Sequence, residues 1–264
     1  MAISVALLGF GISGALIVLF RSAASRLPTQ LFVWAALAFA VTAPGAFLLA
    51  QQVPFNALEV IWAPAQLLYL GLIYLLLAVP FTAGASCIGI AFQEPDAIPG
   101  RVYFWNLLGS GFGALGIIGA LFVLSPVGSL VLVAALALAA AVVVGWQHGA
   151  RVRILMGFGC VLAVSAWWAA PNEWTALRIS EFKGLTRALA VQEARLLTEH
   201  SNPLALLSVV ESPAVPFRYA PGLSLTAPAL PPAQRGIYED GAFYTAVELW
   251  GGGNGDLEYV AYST

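Results

Sequence analysis

The chain has 264 residues, 60% of them hydrophobic and only 9% charged, with a mean hydropathy of +0.87. Soluble domains carry about 25% charged residues, so this composition argues against a single water-soluble globule. Eleven basic and thirteen acidic side chains leave a net charge of −2, which gives no basic surplus for gripping nucleic acid. Cys87 and Cys160 both lie inside apolar runs, away from any histidine, which excludes a disulfide framework and a cysteine metal site.

Charge divides the chain in two. Residues 1–170 hold only Arg21, Arg26, Glu59, Glu94, Asp96, Arg101, Arg151 and Arg153, eight of the 24 charged side chains, so the other 16 fall in residues 171–264. A transmembrane helix needs about 20 mostly apolar residues to cross about 30 Å of hydrocarbon. Six stretches meet that length: 2–20, 29–50, 63–92, 102–124, 127–147 and 152–169. The first opens at Met1 without a basic leader or polar spacer, so it reads as a membrane helix lacking an upstream neighbour rather than as a secretory signal. The third carries Pro80 at its middle, and a kinked single pass is expected over two passes or a re-entrant segment. In the fourth, Gly109, Gly113, Gly116 and Ala120 recur at helical spacing with Asn106 one turn earlier, forming one smooth face. Lipid supplies no hydrophobic drive for helix pairing, so such small-residue faces serve close backbone approach. Gly11, Gly14 and Ala15 of the first stretch, and Gly84, Ala85 and Gly89 of the third, offer facing grooves, and the same face could serve a homo-oligomer. A solute transporter would place ionisable groups inside the membrane; here only Asn106, Gln66 and Thr42 are available.

Trp167, Trp168, Pro171, Asn172 and Trp174 mark an interfacial belt where the chain leaves the bilayer. Beyond it, residues 185–199 have helical propensity, and 204–212 form a short apolar run ending at Pro213, as a buried strand does. Six prolines between Pro213 and Pro232 predict an irregular, extended segment. Residues 236–250 carry strand propensity around Asp240-Gly241, a turn signal. Residues 251–255, GGGNG, follow a strand but precede the strand-like 256–264, so they read as a hairpin loop and not as a phosphate cradle, which must open a helix. About six short strands are expected. His148, beside Arg151 and Arg153, and His200 are isolated, and Lys183 and Glu211 read as surface residues. The expected fold is a polytopic α-helical membrane protein of about six transmembrane helices (1–170) with a small C-terminal β-rich domain (171–264).

Several segments, in order along the chain, carry a family resemblance: ALLGFGISGALIVLF (6–20), VPFNALEVIW (53–62), LLLAVPFTAGASCIGIAF (75–92), GRVYFWNLLGSGFGALG (100–116), RISEFKGLTRAL (178–189), LLSVVESPAVPFRYAPGLSL (206–225) and GIYEDG (236–241). Together they resemble the membrane-embedded spermidine synthase-like proteins of bacteria, in which membrane helices precede an aminopropyltransferase-like module. The resemblance implies residence in the bacterial cytoplasmic membrane, polyamine chemistry, and a β domain followed by a Rossmann-like module that binds S-adenosylmethionine or its decarboxylated form. That module's glycine-rich fingerprint and catalytic acid are not found in these residues, so the chain is expected to be a fragment or split product. On that reading it is the membrane anchor and substrate-side part of a transferase, inactive unless a separate nucleotide-binding module joins it. The alternatives are a non-catalytic membrane scaffold and a small-solute transporter.

Aminopropyl transfer needs carboxylates for the acceptor's distal ammonium and aromatic walls for its alkyl chain. Tyr238, Asp240, Glu258 and Tyr259 supply both types in the tail, and Asp240-Gly241 resembles the aspartate-glycine pair of the aminopropyltransferase β domain. The competing reading makes Asp240-Gly241 a plain turn and the tyrosines sheet packing. Sidedness stays open. Arg21, Arg26, Arg101, Arg151 and Arg153 share one face, which the positive-inside rule places in the cytoplasm with the tail opposite, whereas a cofactor such as S-adenosylmethionine requires a cytoplasmic tail.

Overall fold

Gly9 is the tightest point of the helical region. A Cβ built there would lie 2.5 Å from Phe81 Cβ and 2.9 Å from Thr82 N, so the backbones of two helices meet at this glycine. The structure is a computed structural model that describes residues 2–20, 27–146, 157, 177–224, 226–249 and 254–263. Within them, five helices are long and apolar enough to cross a membrane: α1 (Ala2–Leu19), α2 (Pro28–Ala50), α3 (Ala65–Ala91), α4 (Pro99–Leu121) and α5 (Pro126–Gly145). Apart from Gly157, the stretch 152–169 lies outside the described residues, as do the tryptophan belt at 167–174, His148, Arg151 and Arg153. The chain divides into two compact units, Met1–Ile117 with Ser125–Leu177, and Arg178–Thr264 with Ile118–Leu124.

Helix α3 runs unbroken through Pro80, and α2 through Pro44, so the long third stretch is a single helix. α3 packs against α1 and α2, and α2 packs against α5. Small residues make each contact. Val5, Gly9 and Ser13 are buried on one face of α1, and Ser13 Oγ meets Ser86 Oγ of α3 at 3.0 Å. The groove expected at Gly11 and Gly14 is not used among the described residues, where nothing lies within 4 Å of a Cβ at either position. On α3 the expected residues are engaged, with Gly84 facing the Phe39 ring and Gly89 facing Ile17, and Ala85 buried. Ala36, Ala40 and Ala43 line the buried face of α2, and Val33, Ala36 and Ala141 form a cluster with Cys87 against it. Hydroxyls along the helices donate to the carbonyl one turn back: Thr42 to Ala38, Thr82 to Ala78 and Ser110 to Asn106. Helix α5 starts on a Ser125 cap, whose Oγ accepts from Gly128 N, followed by Pro126.

The C-terminal unit is an antiparallel meander, β1 (Arg195–Ser201), β2 (Leu206–Glu211), β3 (Gln234–Glu239) and β4 (Ala242–Glu248), in the order β1-β2-β3-β4. A short helix α6 (Gly184–Leu189) buries Leu185 and Ala188 with Val210 and Tyr238 of the sheet. Two expectations change. The helical pattern of 185–199 survives only in α6: Glu193 takes a positive φ of 60° and turns the chain, and β1 is captured by pairing with β2. The strand expected over 256–264 is instead part of a 3-10 helix, Asn254–Tyr262, tied by Ser224 N donating to Tyr262 O and by a single bridge between Leu223 and Ser263. The described residues therefore hold four strands, not about six, with isolated bridges from Phe217 to Gln234 and from Leu223 to Ser263. In the proline-rich segment, the buried Gln234 side chain pairs like a strand, accepting from Tyr219 N at 2.5 Å and donating to Tyr219 O at 2.9 Å. Across the sheet, Glu211 lies 3.7 Å from Arg195 and 3.6 Å from Arg235.

Gly9→Val forces apart two backbones with no flexible side chain to yield, and overpacking of this kind costs about 1–3 kcal/mol. Gly11→Ala, facing open space, changes stability by less than about 0.5 kcal/mol. Unfolding of the two variants in detergent, followed by circular dichroism, should separate them in that order.

Candidate functional site

The hairpin joining β3 to β4 is a two-residue turn, and both of its central residues, Asp240 (φ 48°) and Gly241 (φ 78°), have positive φ. That geometry suits the right-handed twist of the strands and selects Asp-Gly. Asp240 also reaches outside its hairpin. Its Oδ1 accepts from Leu206 N at 2.9 Å, and its own N–H donates to Leu206 O at 2.9 Å, so it clasps the start of β2. Lys183 Nζ donates to the Asp240 carbonyl, and Leu185 N donates to Gly241 O at 3.0 Å. The turn is thus held from three sides, yet the Asp240 side chain remains exposed.

Tyr238, two residues earlier, points the other way into the core. Its ring meets Phe217 edge-on at 6.5 Å and Phe243 at 5.5 Å, and Phe243 meets Tyr219 at 4.9 Å. Two glycines make room for it. A Cβ at Gly236 would sit 3.0 Å from Tyr238 Cε2, and one at Gly184 would sit 3.3 Å from Cε1. Burial pushes the Tyr238 phenol above its ordinary value of 10.0, because a phenolate there would lose its hydration. Phe243 and Tyr219 are themselves exposed, so the aromatic chain runs from the core to the surface.

The other two expected residues sit apart. Tyr259, buried in the 3-10 helix, donates its hydroxyl to the Glu248 carboxylate at the end of β4, whereas Glu258 is exposed. Among the described residues, no hydrogen bond or ring contact joins Tyr238 and Asp240 to Glu258 and Tyr259. Sequence reasoning missed Phe217, Tyr219 and Gln234, whose placement depends on Gln234 bridging back across the proline segment. A readable sign was available in Gly236, two positions before Tyr238 on the same strand face. His200 is exposed on β1, and no group of metal-ligating side chains occurs among the described residues.

In the helical unit, Asn106 is half-buried and its carbonyl accepts from Ser110 Oγ at 2.8 Å. A Cβ at Gly109, Gly113 or Gly116 would meet nothing within 4 Å among the described residues, and none of the α4 residues is buried. Gln66 is buried and bonds to the preceding loop through Asn56 and Glu59.

Gly241→Ala places a Cβ 2.7 Å from Ile179 in a left-handed backbone, so denaturant titration should show a loss of more than about 1 kcal/mol. The raised Tyr238 value sets the sign of a pH effect. The phenol is neutral in both states below the unfolded value, so its contribution is complete there and is lost as pH climbs toward the folded value. Near-UV circular dichroism of denaturant unfolding from about pH 8 to about pH 11 should show this falling limb in the native chain and a shallower one in Tyr238→Phe. Compared with known proteins, the chain matches no family model, no curated protein and no solved structure.

Proposed function

We propose that the chain is an integral protein of the bacterial cytoplasmic membrane and the substrate-side part of a spermidine synthase-like transferase. In this reading the helices anchor it, and the C-terminal unit holds the amine acceptor. Support for the membrane assignment comes from the helix surfaces: Ile3 and Leu68 stand more than 70% exposed on α1 and α3, which carry no charged side chain. Apolar exposure on that scale suits hydrocarbon and not water.

The observation that carries the substrate reading is Asp240, an exposed carboxylate fixed by main-chain bonds on the hairpin that also presents Phe243. Among the described residues only one of its oxygens accepts a hydrogen bond, from Leu206 N; the carboxylate charge is therefore available to an ammonium, and the exposed Phe243 and Tyr219 rings are available to its alkyl chain. An exposed ion pair contributes about 0.2–1 kcal/mol and an exposed cation–π contact about 0.5–1 kcal/mol. Such contacts support binding that is millimolar at best, where 1 mM corresponds to about −4.1 kcal/mol. Among the described residues strand β4 is followed by a 3-10 helix and not an α-helix, so they offer no helix N-terminus after this strand for the nucleotide of S-adenosylmethionine. A separate nucleotide-binding module would supply that chemistry.

The test is titration of putrescine into the purified chain, followed by chemical shifts of labelled aromatic residues. Saturable millimolar binding is expected. Asp240→Asn keeps the Oδ1 acceptor and tolerance of positive φ while deleting the charge, so it should weaken binding about fivefold, equivalent to about 1 kcal/mol, without moving the unfolding midpoint. Absence of saturable shifts, or an unaffected Asp240→Asn variant, would refute the assignment of Asp240.

A further inference from the structure

The connection between α2 and α3 is built like a miniature amphipathic element. A 3-10 turn, Ala57–Glu59, is capped by Asn56 and continues through helical bonds from Trp62 N to Glu59 O (3.0 Å) and from Ala63 N to Glu59 O (2.9 Å). Its polar side chains form a closed circuit. Asn56 Nδ2 donates to Glu59 Oε1 at 2.8 Å, Gln66 Nε2 donates to Glu59 Oε2 at 3.0 Å, Gln66 Oε1 accepts from Asn56 N at 2.9 Å, and Asn56 Oδ1 accepts from Leu58 N at 3.0 Å. Every side-chain oxygen and nitrogen of Asn56, Glu59 and Gln66 is engaged.

The other side is apolar and bare. Leu58, Ile61 and Trp62 are 64%, 82% and 77% exposed. At about 100° per residue they span roughly 100° of arc, and none of their side chains enters the Asn56–Glu59–Gln66 circuit. A water-facing loop has no use for three large apolar side chains held on one face by a saturated polar network. Both ends of the loop run into helices of membrane-spanning length, Pro28–Ala50 and Ala65–Ala91. We infer that residues 56–63 lie in the bilayer interface, with Leu58, Ile61 and Trp62 inserted at the boundary between headgroups and acyl chains. The partner is therefore a lipid surface. Trp62 suits that depth because its ring is apolar while its N–H bonds to headgroup or water, and the closed circuit on Glu59 spares the polar face any desolvated, unpaired atom. The inference rests on the membrane reading above, continuing it from the spans to a connecting loop.

The experiment uses the full chain in vesicles of phosphatidylcholine and phosphatidylglycerol, with Cys87→Ala and Cys160→Ala as background. A nitroxide is attached after Trp62→Cys and, as a second variant, after Ile61→Cys. Two references bracket the depth: Leu75→Cys in the middle of α3 and Leu204→Cys on the exposed β1–β2 connection. Power saturation then compares oxygen, which partitions into hydrocarbon, with a nickel chelate confined to water. The oxygen-to-nickel accessibility ratio at positions 61 and 62 is expected several-fold above Leu204 and below Leu75. If both loop positions match Leu204 while Leu75 reports hydrocarbon, the loop lies in water and the inference is overturned with the membrane reading intact. If Leu75 also reports water, the membrane reading falls and takes this inference with it.

Discussion

Close approach of backbones through small residues is the interaction on which the helical unit depends. Its helices are apolar on every side, so burying an apolar side chain between two of them gains little over leaving it in hydrocarbon. What distinguishes one contact from another is how near two backbones can come. Gly9 sits on the backbone of Phe81 and Thr82, Gly89 receives Ile17, and the alanines of α2 line its buried face. Ser13 and Ser86 add a hydrogen bond between helices at the same seam. Elsewhere the hydroxyls of Thr42, Thr82 and Ser110 return to their own backbone.

The C-terminal unit obeys the opposite accounting. There the large side chains are the ones enclosed: Leu185, Val210 and Tyr238 meet under α6, and glycine serves to make room for a ring and not for a neighbouring backbone. Polar groups hold distant segments together, with Gln234 standing in for a strand partner of Tyr219 and Asp240 clasping Leu206. Asp240 shows how structure and recognition can share a residue. A carboxylate has two oxygens, and only one is committed to the fold.

These two regimes explain what could be read from the residues. Five of the six apolar stretches coincide with described helices to within about three residues at each end, because charged and proline-containing breaks interrupt uniform apolar runs; Pro99 and Pro126 open helices where the hydropathy alone placed starts slightly later. Which face of α1 meets α3 was not legible. A helix with no polar side has no periodic asymmetry, so Gly11 and Gly14 looked as suitable as Gly9 and Ser13. In the tail, Asp240-Gly241 announced its turn through backbone chemistry that few other pairs satisfy. Residues 190–199 and 256–264 did not announce theirs. The first stretch has helix-forming residues that β2 recruits as a strand, and the second has strand-like residues that the observed sheet does not pair. Local propensity loses in both to a contact distant in sequence. Neither pair of expected site residues could be joined or separated by sequence alone, since the Tyr259 hydroxyl meets Glu248 through a contact between two separate elements.

The loop between α2 and α3 brings both regimes into a few residues. Its polar side satisfies every side-chain atom of Asn56, Glu59 and Gln66 internally, as a segment near hydrocarbon must. Its apolar side is left open, as the surfaces of the flanking helices are. Gln66 therefore has a structural use at the first turn of α3, and its burial there does not require a solute pathway. The same bonds fix Glu59 so that its charge is distributed over two amide donors at the edge of the span. An ionisable residue this close to an apolar helix would otherwise be costly; donors on both oxygens allow it to remain there beside the exposed Leu58, Ile61 and Trp62.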